Sequence, residues 1–165
     1  MQDLNFMGKK IIIVLIALLA GCATSSRDKG FSLAGHKAFE VAPVSNTTGK
    51  TFDIDVTSQL ARLISSKLKE KEFSVSETSE NAIIIRGNLT SYETRSARTQ
   101  CTVEIKFVDK STQRVLGEIM IFKTISVGGL SSVELNSDQA ILEAVANDIV
   151  FEVEKRIKQE SPVSP

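Results

Sequence analysis

Thr99-Gln100-Cys101-Thr102-Val103-Glu104-Ile105-Lys106-Phe107-Val108 carries the most regular pattern in the chain. Cys101, Val103, Ile105 and Phe107 alternate with Thr102, Glu104 and Lys106, and a period of two puts the first set on one face of a strand and the second on the other. One face seeks a core and the other meets water, which is the signature of a strand in an antiparallel sheet with one open side. Working outward, Asp109-Lys110-Ser111-Thr112-Gln113 reads as a hairpin connection and Arg114 to Ser126 as the partner strand. Upstream, Asn81 opens Ala82-Ile83-Ile84-Ile85-Arg86-Gly87-Asn88-Leu89-Thr90-Ser91-Tyr92, β-branched and apolar enough for a central strand. The three strands predict an antiparallel meander.

Helices flank this meander. Val56, Leu60, Leu63, Ile64 and Leu68 recur at helical spacing behind Asp53 and Asp55, while Ser58, Arg62, Ser65, Lys69 and Lys71 occupy the far face, which predicts a helix over about Ile54 to Lys71. Ile141, Leu142, Val145, Ile149 and Val153 form a second apolar stripe, with Asn136 and Gln139 as a capping box and Lys155, Arg156 and Lys158 in the last turn. Lys37 to Val44 reads as a first strand and Phe73 to Val75 as a short one, with Ser45 to Lys50 as a turn-rich loop and Val127 to Ser132, holding two glycines, as a break. The order β-α-β-β-β-β-α predicts an α+β fold: a two-layer sandwich with two helices on one face of a four- to five-stranded mixed sheet.

Composition narrows the function. The chain has 165 residues, 20 Lys+Arg against 20 Asp+Glu, one histidine and two cysteines. That is one domain without the basic excess of a nucleic-acid binder. It has too few soft ligands for a closed zinc site and permits one disulfide at most, so neither a metal nor a cofactor is expected.

The first residues supply an address. Lys9 and Lys10 precede an apolar run from Ile11 to Leu19, followed by Ala20-Gly21-Cys22. A basic region, a short apolar stretch and small residues at a cleavage point make a secretory signal peptide over residues 1–21, and the run is too short for a spanning helix. Leu19-Ala20-Gly21-Cys22 resembles the bacterial lipobox. That resemblance implies cleavage before Cys22, a diacylglycerol on its thiol and an acyl chain on its new amino group, which together bury far more methylene than a single chain. Ala23, where an inner-membrane retention signal would have Asp, implies the periplasmic face of the outer membrane. Translation from Met1 or Met7 yields the same mature chain. That chain of 144 residues loses Lys9, Lys10 and Asp3, leaving 18 cationic and 19 acidic side chains. Cys101 becomes its only free thiol, so an intramolecular disulfide is excluded. Residues 22–36, small and polar, are expected to form a flexible tether, 37–158 the domain and 159–165 a disordered tail.

No catalytic constellation emerges. His36 lies beside the tether with no serine or cysteine fixed against it, and Cys101 points inward, as a buried free cysteine does. Glu70, Glu72, Glu152 and Glu154 belong to solvated helix faces, and Gly128-Gly129 lacks the spacing of a phosphate-binding loop. Arg86, Arg95, Arg98 and Arg114 fall around the exposed ends and loops of the sheet, where guanidinium groups can meet phosphates or carboxylates of a glycolipid or a partner.

The layout of lipobox, tether, strand, Asn46-Thr47-Thr48 loop, helix, Asn81 to Tyr92 and Val103 to Asp109 resembles the lipopolysaccharide-assembly lipoprotein family, the curli-secretion lipoprotein domain and several further bacterial lipoprotein families. Gly30-Phe31-Ser32-Leu33-Ala34-Gly35 looks like a degraded form, lacking the arginine, of a segment near the lipidated cysteine of the assembly family. The resemblance implies a non-enzymatic, periplasm-facing outer-membrane lipoprotein that serves an envelope-spanning assembly or secretion complex, or alternatively binds lipopolysaccharide or another lipid.

Overall fold

The computed structural model describes residues 30–52, 55–95, 98–126 and 137–159. Six strands and two helices follow the expected order, with one short strand added: β1 (Ala38–Val41), β2 (Ser45–Asn46), α1 (Val56–Glu70), β3 (Ser74–Val75), β4 (Ile83–Arg95), β5 (Arg98–Asp109), β6 (Val115–Ser126) and α2 (Ser137–Lys158). The sheet runs β3-β1-β4-β5-β6, and β2 also pairs with β4. β1 is parallel to both β3 and β4, whereas β4, β5 and β6 form the antiparallel meander. Both helices cover one sheet face, as the α+β reading requires.

The inward set of β5 is fully buried at Cys101, Val103, Ile105 and Phe107, and Thr99 continues it. Ile83, Ile85 and Leu89 of β4 meet Leu60, Ile64 and Leu68 of α1 and Leu142, Val145, Ile149 and Val153 of α2 in one core. Each such side chain contributes about 1.5–3 kcal/mol when removed from water. Among the described residues no helix covers the opposite sheet face, and Arg86, Met120 and Phe122 stay exposed there.

Local chemistry sets the ends of α1. The Asp55 carboxylate accepts from the Ser58 N–H at 2.9 Å and from the Thr57 hydroxyl at 2.9 Å. It thus satisfies donors that a helix start leaves open. Hydrogen bonds from Ser58, then from Thr57, lower its pKa to about 2. At the other end Glu72 takes φ 63°, its N–H donates to the Lys69 carbonyl at 3.0 Å, and the Phe73 N–H donates to the Leu68 carbonyl at 3.1 Å. This is a Schellman stop with glutamate at the position glycine favours.

Three features depart from the sequence reading. Ser45–Asn46, read as loop, pairs with Asn88 and Leu89 of β4. Two exposed polar residues bury nothing, so no periodicity marks them as strand. The tether expected over 22–36 stops short of residue 36, because Leu33 is fully buried and its N–H donates to the Arg156 carbonyl at 3.1 Å. Third, a register shift between Leu89 and Ser91 leaves Thr90 as an extra residue in β4. The bulge switches the inward set from odd to even numbers, so that Tyr92 follows Leu89 into the core. Asp53 and Ile54, the Gly128-Gly129 break, Asn136 of the capping box, the signal peptide, Cys22 and residues 160–165 of the tail lie outside the described residues.

Candidate functional site

The sheet has two ends. At one, which we call the entry end, Ala38, Ile83, Asp109 and Val115 lie near each other and α2 finishes. At the other, the far end, β4 turns back into β5 and both helices begin.

At the far end a concavity of about 670 Å³ is lined by Lys50, Thr51, Phe52, Val56, Tyr92, Glu93, Thr94, Arg95 and Asp138. The Thr90 bulge builds it. Tyr92, turned inward, stacks edge-on against Phe52 with ring centroids 5.2 Å apart, and its hydroxyl donates to Asp138 Oδ1 at 2.6 Å. Burial first, and the Asp138 carboxylate second, hold the phenol above its ordinary range, so it remains a donor. Lys50 Nζ lies 3.7 Å from Glu93 and donates to the Tyr92 carbonyl at 3.4 Å, while Arg95 Nη2 lies 3.1 Å from the other Glu93 oxygen. Glu93 and Asp138 balance the two cations of this rim, but the Arg95 side chain is 81% exposed and can swing from Glu93 to an anionic group whose apolar body lies on the aromatic wall. Tyr92 and Phe52 were missed in the sequence because the bulge that aims Tyr92 has no compositional mark.

The four arginines do not share one surface. Arg86 sits on the open face near the entry end, where its Nη2 donates to Gln113 Oε1 at 3.3 Å, and Arg114 immediately precedes β6 at that end. Arg95 and Arg98 are cross-strand partners at the far end and line a smaller cleft with Glu93 and Gln100. Nine residues of β4 separate Arg86 from Arg95, about 30 Å of strand. A single ligand group cannot meet all four.

On the open face Lys106 Nζ lies 3.2 Å from Glu104 and 3.7 Å from Glu118. Hydrogen bonding between the acids, and next with Lys106, lowers the Glu104 pKa, while Glu104 raises that of Glu118. Two carboxylates thus flank one ammonium in a surface network. The Cys101 thiol is buried and its pKa pushed up to about 12 by that burial, which suits a packing role rather than a nucleophile. The His36 N–H donates to the Leu33 carbonyl at 3.1 Å, placing the residue in the segment that leads into β1. Among the described residues no group of three metal-ligating side chains comes together.

At the entry end the chain is clasped onto the domain. The Phe31 ring lies 5.2 Å from that of Phe107, and the Arg156 guanidinium sits 4.5 Å above it. Phe31 fills a notch that exists because residue 117 is glycine; a Cβ there would overlap the ring. Ser32 Oγ donates to the Gln159 carbonyl at 2.9 Å, completing a short strap across the end of α2.

No protein-family model matches the chain, and no curated protein matches it in sequence. Solved structures do match in shape. A PelC dodecamer from Paraburkholderia phytofirmans superposes with a TM-score of 0.55 at 16% identity, covering 82% of this chain and 99% of that one. The hypothetical protein CT253 from Chlamydia trachomatis gives 0.60 at 11% identity over 74% and 98%, and protein XCC0632 from Xanthomonas campestris gives 0.52 at 13% over 72% and 82%. The chain therefore has the fold of these bacterial proteins, over nearly the whole length of the first two.

Proposed function

We propose that this chain is an outer-membrane lipoprotein, acylated at Cys22 and facing the periplasm, that acts without catalysis as a structural or accessory subunit of an envelope assembly or secretion complex. The lipobox Leu19-Ala20-Gly21-Cys22 carries the reading, because it stands immediately ahead of a domain whose fold is that of PelC, a dodecamer. An anchored domain of this shape supplies surfaces rather than chemistry: an uncovered sheet face, a far-end concavity and a strapped entry end. The test has two parts. Mass spectrometry of the purified full chain should show cleavage before Cys22 and added acyl chains, both lost in Cys22→Ala. Crosslinking in cells should then capture either further copies of the chain or an envelope protein. A chain that is not acylated, or that stays monomeric and captures no envelope partner, sinks the reading.

Binding of lipopolysaccharide or another acidic lipid is the second reading, favoured by the aromatic wall and the Lys50 and Arg95 rim of the far-end concavity. It predicts saturable binding that weakens in Arg95→Ala and is unchanged in Arg86→Ala. Equal effects of the two substitutions would dispose of it.

A further inference from the structure

The chain enters the domain at the entry end, where β1 begins, the strap shortens its tether there, and charge decides what that end can touch. Gly30 lies at the entry end, tied there by Phe31, Ser32 and Leu33 to the end of α2. Eight residues join Cys22 to Gly30, a reach of roughly 26–29 Å when fully extended. β4 alone is about 40 Å long, so the far end stands well beyond that reach when the domain is upright.

The entry end is also chemically lopsided. At its β6 and α2 corner Arg114 and Lys158 are exposed, Val115 stands 53% exposed beside Arg114, and Arg86 lies two strands away on the open face of β4. Most acids there are paired with cations of their own: Glu40 with Lys110 at 2.6 Å, Glu118 with Lys106 at 3.7 Å, and Glu152 with Lys155 at 3.6 Å and with Arg156, which leaves the Asp109 carboxylate, hydrogen-bonded by Ser111 and Thr112, as the remaining charge. Glu72 and Glu80 belong to the connections on either side of β3, at the opposite edge of the sheet.

We propose that this corner, Arg114, Val115 and Lys158 with Arg86 beside it, is a membrane-apposed surface that lies against anionic phospholipid headgroups and holds the domain upright. The inference rests on acylation of Cys22. A basic residue near an anionic bilayer is worth about 1 kcal/mol, roughly fivefold in occupancy, so a few of them suffice to orient a domain already held within reach. The far end, with its concavity, then faces away from the membrane.

The test uses the full acylated chain, its acylation first verified by mass, in vesicles containing phosphatidylglycerol or only phosphatidylcholine. Val115→Cys and Thr124→Cys place a fluorophore at two exposed sites of the same strand, about 30 Å apart, while Cys101 stays buried and Cys22 is blocked by lipid. With a headgroup-bound quencher, the label at 115 should be quenched at least threefold more than that at 124. Lys158→Glu with Arg114→Glu, or vesicles of phosphatidylcholine alone, should abolish the difference. Equal quenching at both sites in the acylated chain, or a preference that survives both the charge reversals and the neutral vesicles, overturns the inference. A chain lacking acyl groups instead refutes the anchor itself, which the mass reveals separately.

Discussion

Tyr92 offers an unusually clean probe because it is the only tyrosine and the chain has no tryptophan. Its hydroxyl ties β4 to the first turn of α2 through Asp138 Oδ1 at 2.6 Å. Tyr92→Phe keeps the ring against Phe52 and removes only this donor. A hydrogen bond to a charged acceptor contributes about 1.5–3 kcal/mol, and because Asp138 is half-exposed and water can replace the donor, the cost should fall at the low end, about 1.5 kcal/mol at pH 7. Urea unfolding followed by far-ultraviolet circular dichroism measures it without relying on the tyrosine.

The pH dependence sharpens this test. In the unfolded chain the phenol ionises near its ordinary value of about 10, whereas burial and Asp138 hold it higher in the folded state. Above pH 10 the unfolded chain therefore releases a proton that the folded chain retains, and stability falls by about 1.4 kcal/mol per pH unit until the folded phenol also ionises. The contribution is complete below pH 10 and is lost above it. Tyr92→Phe lacks the group, so its deficit of about 1.5 kcal/mol should hold from pH 7 to 9 and close by roughly pH 11. Absorbance at 295 nm should show tyrosinate appearing only as the wild-type chain unfolds. A tyrosine that titrates near pH 10 while circular dichroism remains native, or a deficit that stays constant to pH 11.5, refutes the reasoning.

Other substitutions probe the strap and the helix ends. Gly117→Ala should cost about 2 kcal/mol by driving Phe31 from its notch; Phe31→Ala should cost a similar amount, and the double variant little more than either, as paired urea midpoints will show. Glu72→Gly should stabilise the chain by about 0.5–1 kcal/mol, since glycine takes φ 63° without the clash a Cβ brings, and a midpoint unchanged or lowered would contradict the Schellman assignment. Asp55→Ala should weaken α1 at neutral pH and flatten the acid limb of the stability curve. The Asp55 pKa is lowered, so its contribution is present above about pH 4 and lost as pH falls through about 2, and an acid limb identical to wild type would show that the cap has no such part.

How far the sequence reaches is best seen by comparing β5 with β4. From Arg98 to Phe107 every inward residue of β5 is apolar or small and every outward one polar, so a period of two exposes its strand character and its buried face. β4 obeys the same rule only to Leu89; beyond the Thr90 bulge the phase inverts, and bulges arise from pairing with a partner strand, which a one-dimensional pattern does not contain. The far-end concavity depends on that inversion and was correspondingly invisible, although Lys50 and Arg95 are plain in the chain. α1 was legible because a single face buries Val56, Leu60, Ile64 and Leu68. The strap was not. Gly30 to His36 looks like a linker in composition, and only the matching notch at Gly117 and the end of α2, more than eighty residues later, turn Phe31 and Leu33 into core-facing groups.

The strap also links the legible and the illegible parts of the molecule. A flexible tether running from Cys22 to residue 36 would still join the domain at the entry end, where Ala38 opens β1, but would let it tilt over a longer reach. Burial of Leu33 shortens the free segment to about half that length and moves its pivot to the corner where α2 ends and β6 begins. Burying such a side chain contributes about 1.5–3 kcal/mol toward docking the strap, and stacking of Phe31 beneath Arg156 adds to it, against the entropy of ordering the segment. A packing contact thus holds the basic corner close to the anchor, and Leu33→Ser, which removes that contact without touching the lipobox or any basic residue, should leave the chain membrane-bound while reducing the difference in quenching between positions 115 and 124.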